Sequence, residues 1–376
     1  MTVKKLGFGL MRLPLRDAKD QTSIDMEQLK KMVDLFLEKG FTYFDTAYMY
    51  HDFQSERAVR AALVERHARD SFTLTSKLPT MMLKTKEDQE RIFNEQLEKC
   101  GVAYFDYYLL HSLTKKNYET AKRLGSFAFV QQKKAEGKIR HIGFSFHDNA
   151  DLLDEILTEH PEVEFVQLQI NYLDWDNVSI QSGKCYETVR KHGKKMIVME
   201  PLKGGTLANV PDSVVQLFQS QRPDLSVPSW GIRFAASHED IVMVLSGMST
   251  LAQMEDNTSY MQDFQPFTPS EYQTVAQAVE QLRQTIAIPC TACHYCTEGC
   301  PQNIAIPDYF ALYNNFKQAG LKDGFVIQKA YYATLTDEHG FGKASDCIAC
   351  GQCEEICPQH IEVMKWLQNV ADEFES

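Results

Sequence analysis

Between Leu6 and Ser246 the chain switches repeatedly from short runs of β-branched and aromatic residues to longer stretches in which apolar side chains recur every third or fourth position. The first pattern suits strands and the second suits helices with one buried face, so the alternation predicts βα units. Eight runs stand out: Leu6–Leu10, Phe41–Asp45, Phe72–Ser76, Phe105–Leu110, Ile139–Phe144, Val163–Gln169, Lys195–Met199 and Ile241–Ser246. Strands separated by helices pair in parallel. Eight of them over about 250 residues predict an α/β fold of the (β/α)8 TIM-barrel class. The first helix is well punctuated: Asp25 with Gln28 forms a capping box, Leu29, Met32, Val33, Phe36 and Leu37 share a face, and Gly40 stops it. Past the eighth run Pro266 breaks the chain, and Thr268, Pro269 and Glu271 supply an N-cap, a first-turn proline and a capping acid. Residues 1–265 are therefore expected to form the barrel and residues 266–376 a small, mostly helical second domain, with helices around Pro307–Phe316 and Phe325–Leu335.

Composition narrows the function classes. With 376 residues, 44% hydrophobic and 24% charged, the chain has enough apolar material for two cores. A formal charge of −12 argues against nucleic acid or an anionic membrane as partner, because both require a basic surface. The stretch Met1–Leu10 holds Lys4 and Lys5 without the apolar segment of a signal peptide, and no uninterrupted apolar run approaches a membrane span. A cytoplasmic location is expected.

Eight of the ten cysteines fall in two identical groups. Cys290, Cys293, Cys296 and Cys300 precede Pro301; Cys347, Cys350, Cys353 and Cys357 precede Pro358, 57 residues on. Each group is the run C-x2-C-x2-C-x3-C-P of bacterial two-cluster ferredoxins, in which the first three thiolates hold one cubane and the fourth reaches the other. Two [4Fe-4S] clusters are implied, with the crossed sets Cys290, Cys293, Cys296, Cys357 and Cys347, Cys350, Cys353, Cys300. Zinc, the alternative for C-x2-C pairs, gains nothing from a third equally spaced cysteine. In compact ferredoxins the two runs lie close together, whereas residues 301–346 separate them here; the segment resembles helical two-cluster domains attached to larger oxidoreductases. Cys100 and Cys185 lack cysteine neighbours and are expected to be small packed residues.

Catalytic groups of such a barrel belong at the C-terminal ends of strands. Asp45 ends the second run, Lys77 follows the third, His111 follows the fourth, and Tyr50 lies five residues beyond Asp45. Together they make a chemical unit: a phenol gives a proton, an ammonium lowers its pKa, a carboxylate holds the ammonium, and an imidazole fixes the carbonyl oxygen that is protonated. The motifs Phe44-Asp45-Thr46-Ala47-x-x-Tyr50, Thr75-Ser76-Lys77 and Leu109-Leu110-His111 resemble those of aldo-keto reductases, in the family's order over roughly residues 4–260.

That resemblance implies Tyr50 as general acid/base, Lys77 and Asp45 as its tuners, His111 as the group orienting the substrate carbonyl, and NADP or NAD as hydride carrier. It also implies that Ser145 and Gln167 grip the nicotinamide amide and that Met199 packs on its face. Gly9, Leu202 and Gly204 would line the cofactor, and Gly247, Ser249, Gln253 and Asn257 would form the adenosine segment. Two departures stand out: Phe146 replaces the asparagine that commonly follows the serine, and Gly247 and Gln253 replace the basic residues that hold the 2'-phosphate in many members. Gly7-Phe8-Gly9 lacks the third glycine of a Rossmann fingerprint. The expected partners are a small carbonyl or alcohol substrate and an electron-transfer protein. A nicotinamide-binding sensor with little turnover, and a reductase whose clusters only stabilise the fold, remain alternatives.

Overall fold

The computed structural model describes residues 4–176, 180–283, 287–319, 329 and 332–375. Eight strands close into a parallel barrel: β1 Leu6–Gly9, β2 Tyr43–Asp45, β3 Thr73–Leu78, β4 Phe105–Leu113, β5 Ile139–Phe146, β6 Phe165–Gln169, β7 Lys195–Met199 and β8 Ile241–Ser246. They follow one another in chain order, and β8 returns to pair with β1. The expected runs lie on these strands, but β3 and β4 continue past the expected ends, so Lys77 and His111 sit inside strands. Their polar side chains mimic a loop in sequence, whereas in the fold they belong to the upper ends of the strands.

The first helix spans Met26–Glu38 and buries Leu29, Met32, Val33 and Phe36. Asp25 caps it through the Gln28 N–H at 3.1 Å. The reciprocal half of the expected box is replaced, because the Asp25 N–H donates to the Pro14 carbonyl. Inside the barrel Tyr43, Leu109, Phe165, Ile197, Met243 and Leu245 form one packed layer. Phe165 fits only because position 143 is glycine: a Cβ there would lie 2.4 Å from the Phe165 carbonyl and 2.7 Å from its ring. A strand glycine is thus used for close approach rather than for flexibility.

The chain divides into two compact units, the second of which takes Leu202–Arg222 together with Ser270–Ser376. The segment Leu202–Arg222, which the pattern along the chain runs on with the barrel, therefore folds with the C-terminal residues. In that unit helices Pro269–Arg283, Ile306–Ala319 and Val363–Phe374 surround a core of Ile288, Ile304, Tyr309, Phe310, Leu367, Val370 and Phe374. The Asn314 carboxamide ties the chain before the first cysteine run, accepting from the Ile288 N–H at 2.7 Å and donating to its carbonyl at 2.6 Å. Much of the expected helix Phe325–Leu335 lies outside the described residues; Thr334–Glu338 forms a π-helical turn. Among the described residues no helix is long and apolar enough to cross a membrane.

Candidate functional site

The end of β2 and the upper part of β3 bring two opposite charges together out of water. Lys77 and Asp45 are 0% and 2% exposed, and the Lys77 ammonium donates to Asp45 Oδ1 at 2.5 Å and to the Thr46 carbonyl at 2.7 Å. Either charge alone would be strongly destabilising there, so each requires the other. Burial lowers the Lys77 pKa and raises that of Asp45, and in both cases the ion pair opposes the shift.

The same ammonium lies 3.4 Å from Tyr50 Oη. Burial first, then the Asp45 and Glu200 carboxylates, hold the phenol well above its usual pKa of 10. This differs from the lowering expected of a lysine neighbour. Asp45 offsets the ammonium charge, and neither burial nor Glu200 is visible from the spacing of the motif. The phenol consequently keeps its proton at neutral pH, as an acid must before it gives one.

His111 completes the group, its ring edge-on to Tyr50 with centroids 6.0 Å apart. Burial, followed by the charges of Lys77 and His147, holds it well below the usual histidine range. It is neutral and has one N–H to give. Its Nδ1 is buried without a partner in this structure. Thr80 donates to the His111 carbonyl at 2.5 Å, and the next residue, Ser112, adopts a left-handed φ of 57° with its N–H donating to Ser145 Oγ at 2.7 Å.

Beside this group Gln167 on β6 has its carboxamide oxygen buried and unpartnered, while its nitrogen makes only a 3.7 Å contact to Met199 Sδ. A buried free acceptor on a strand end fits the amide N–H of a nicotinamide carboxamide. Ser145 pairs in register with Gln167. Asn171, four residues further, is used by the fold: it donates to Asp174 at 2.8 Å and to the Glu200 carbonyl at 3.1 Å.

Gly9 ends β1 beside the Ser246 carbonyl and the Gly247 N–H. The Arg12 stem covers Gly247, where a Cβ would approach it to 3.2 Å, and Ser249 Oγ donates to the Arg12 carbonyl at 2.8 Å. Gln253 Oε1 accepts from the Ser249 N–H, and Asn257 donates to Ser246 Oγ. Leu202 and Gly204 belong to the second unit. There Gly204, at φ +64°, lies where a Cβ would stand 2.0 Å from the Thr291 carbonyl.

Among its described residues the second unit has two cysteine-lined cavities. Cys290, Cys293, Cys296 and Cys357 line the first; Cys347, Cys350, Cys353 and Cys300 line the second. Each cavity thus takes three cysteines of one run and the last of the other, the crossed arrangement. Among the described residues no three His, Cys, Asp or Glu side chains converge on one metal ion. The sulfurs stand around a space instead, which fits a polynuclear group with one thiolate per iron.

Backbone conformation repeats with the cysteines. Ala292, His294 and Asn303 have left-handed φ, as do Ala349, Gly351 and His360, each pair 57 residues apart. Such turns swing amide N–H groups toward the cavity. One example is the Ala292 N–H, which points at Cys290 Sγ at 3.4 Å.

Comparison with known proteins then places the chain. The aldo/keto reductase family model matches residues 5–280, and a 4Fe-4S dicluster domain matches residues 289–362. The chain belongs to the aldo/keto reductase family. Among solved structures it is similar to an aldo-keto reductase from Bacillus halodurans in its holo form, at 22% identity and a TM-score of 0.58, covering 73% of this chain and 92% of that one. An aldo/keto reductase from Klebsiella pneumoniae in complex with NADP and acetate is similar at 18% identity and a TM-score of 0.57, over 73% and 91% of the two chains. One from Brucella melitensis is similar at 21% identity and a TM-score of 0.55, over 74% and 99%. These likenesses show the fold. No curated protein matches the chain.

In this family member, four residues near the motifs escape sequence reasoning. His51 directly follows Tyr50 and opens three consecutive left-handed residues, at φ 53°, 48° and 66°. Its imidazole accepts from the Leu13 N–H at 3.1 Å and, through Nδ1, meets the Gln21 carbonyl at 3.1 Å. Glu200 carries a left-handed φ of 56° beyond β7 and acts on Tyr50 through charge. Arg12 stands alone in sequence, and Lys203, though it lies between Leu202 and Gly204, is far in the chain from Gln359, which it reaches. Only adjacency to Tyr50 or to Met199 could have marked the first two.

Proposed function

We propose that this aldo/keto reductase family member is a nicotinamide-dependent oxidoreductase that interconverts a small carbonyl compound and its alcohol. The observation that carries the reading is the buried Lys77 ammonium joining Asp45 and Tyr50 beside a neutral His111. When bound, NADP or NAD supplies hydride chemistry. The protein's own share concerns the oxygen of the substrate. His111 would donate its one N–H to the carbonyl oxygen and orient it, and Tyr50 would deliver its phenolic proton to that oxygen as negative charge develops. Lys77, held charged by Asp45, stabilises the phenolate left behind. Gln167 and Ser145 would hold the carboxamide, Met199 would cover the nicotinamide face, and Gly9, Gly247, Ser249, Gln253 and Asn257 would line the rest of the cofactor. The test is steady-state oxidation of reduced NADP and NAD with a panel of aldehydes and ketones. Turnover by the intact chain and its loss in Tyr50→Phe are expected; no turnover with any substrate would favour a binding role.

We also propose that the two cavities each hold a [4Fe-4S] cluster, through the crossed cysteine sets, and that the clusters carry electrons between the chain and an external electron-transfer protein. Two full ligand sets exceed what a structural staple requires, and this supports the relay. Anaerobically prepared protein should contain about eight irons and eight sulfides per chain. If a variant without either cluster stayed folded and kept full reductase activity with every electron partner, the clusters would be staples instead.

A further inference from the structure

The two cavities share a build but differ in what stands behind them. Gln359 forms part of the wall of the first, and its amide oxygen accepts from Lys203 Nζ at 3.1 Å. Lys203 is 0% exposed and Gln359 is 4% exposed. The ammonium is held there by backbone: Lys203 and Gly204 both have left-handed φ, and the Gly204 main chain lies so close to the Thr291 carbonyl that no side chain fits between them. Thr291 in turn lies between Cys290 and Cys293, so the Lys203 turn is seated on the first cysteine run.

Among the described residues neither wall contains an Asp, Glu, Lys or Arg, and that of the second cavity is formed by groups such as Gln302, Gln352, Met364 and Leu367. One edge of it meets water, with Cys350 exposed and Ile348 60% exposed, while Cys353 is buried. One side chain, Ile306, belongs to the walls of both cavities and is itself buried. Groups on either side of it are within easy reach of electron exchange.

Four thiolates and the cluster they hold would place negative charge in the cavity whose wall Gln359 helps to form, and each added electron increases it.

We propose that Lys203 makes the cluster held by Cys290, Cys293, Cys296 and Cys357 the more readily reduced of the two, so that an electron entering at the second set, beside the exposed Cys350, settles at the first. The step is a one-electron reduction by an external low-potential donor. No bond forms or breaks and no proton moves; the added negative charge is stabilised by the fixed positive one in a medium of low dielectric. This inference rests on the reading that each cavity holds a [4Fe-4S] cluster.

The experiment is a redox titration of the anaerobic holoprotein followed by electron paramagnetic resonance, with the two signals assigned by Cys293→Ser and Cys350→Ser. In the wild type the signal disturbed by Cys293→Ser should be reduced first. Lys203→Met should lower the equilibrium constant for that reduction roughly tenfold, about 59 mV for one electron, and leave the other signal in place. Lys203→Arg, which keeps the charge, should stay near wild type. Gln359→Glu keeps the lysine but sets a carboxylate against it, and should move the same signal in the same direction; it decides alone if Lys203→Met does not assemble its clusters. Unmoved signals, or equal shifts of both, overturn the role of Lys203 while leaving two clusters intact. Iron analysis showing fewer than two four-iron clusters in the wild type would remove the underlying reading, and the inference with it.

Discussion

Tyr50 is the residue on which the chemistry turns, because its proton is needed only as charge builds on the substrate oxygen. Tyr50→Phe should cut turnover by about 10²–10⁴-fold while cofactor binding, measured by fluorescence of the reduced nicotinamide, stays within a factor of a few. Equal losses in both would place Tyr50 in binding rather than proton transfer. Lys77→Met removes the ammonium that stabilises phenolate and leaves Asp45 buried without its partner. Lower turnover, an altered pH profile and about 3–5 kcal/mol of lost stability are expected together. Histidines add a pH dependence of their own. Burial keeps His51, His111 and His238 below the usual histidine range. The unfolded chain therefore binds more protons below about pH 6.5, and stability, full above that value, should decline as the pH falls. His51→Gln keeps polar atoms without a titrating ring. In chemical denaturation at pH 7.5 and 5.5 it should flatten the slope by up to about 1.4 kcal/mol per pH unit; an unchanged slope would show that His51 is protonated in the fold.

At the scale of elements, left-handed backbone recurs at the turns that carry site residues. The three left-handed residues after Tyr50 cost about 1–3 kcal/mol each, and the two His51 contacts hold the turn against that cost. His51→Ala should therefore lower stability by about 1–3 kcal/mol and reduce turnover more than it weakens cofactor binding, since it releases the segment that aims the phenol. Thermal melts and steady-state kinetics on one preparation check both. The cysteine loops show the same economy in duplicate. Where the second run places Gly351 in the left-handed region, the first places His294, so His294→Gly relieves local strain and should leave cluster content unchanged. Within the barrel, Phe165 and the glycine opposite it form one fitted pair. Phe165→Ala should cost about 3–5 kcal/mol, read as a lower midpoint in urea.

The whole molecule joins two units in which sequence order and spatial order part company. Cys357→Ala should damage the cluster of Cys290, Cys293 and Cys296, 61 or more residues away in sequence, rather than that of its own run. Damage confined to Cys347, Cys350 and Cys353 would refute the crossing. Cofactor choice is open to the same kind of test. The Arg12 stem already fills the space over Gly247, so an arginine is better accommodated at Gln253. Gln253→Arg should tighten NADP relative to NAD, because a guanidinium pairs with the 2'-phosphate; an unchanged ratio of dissociation constants would mean that the adenosine lies elsewhere.

The barrel and the cysteine ligands were legible in sequence because local patterns encode both. Strand and helix periods reflect which face of an element is buried, and the doubled cysteine spacing reflects the shape of one metal-binding loop. Asp45, Tyr50, Lys77 and His111 could be read for a related reason: each lies at or shortly past the end of a run that the pattern marks as a strand. Chain order alone did not decide what those groups meet. Burial, together with a carboxylate from beyond β7, holds the Tyr50 proton on. His51 braces the turn by reaching back to Leu13 and Gln21, and Lys203 reaches Gln359 across more than a hundred residues. Such pairings depend on distances that exist only after the chain has closed on itself. Electrostatics follows those distances and the water they exclude, so the residues were present in the sequence but their charges and strains belong to the tertiary structure.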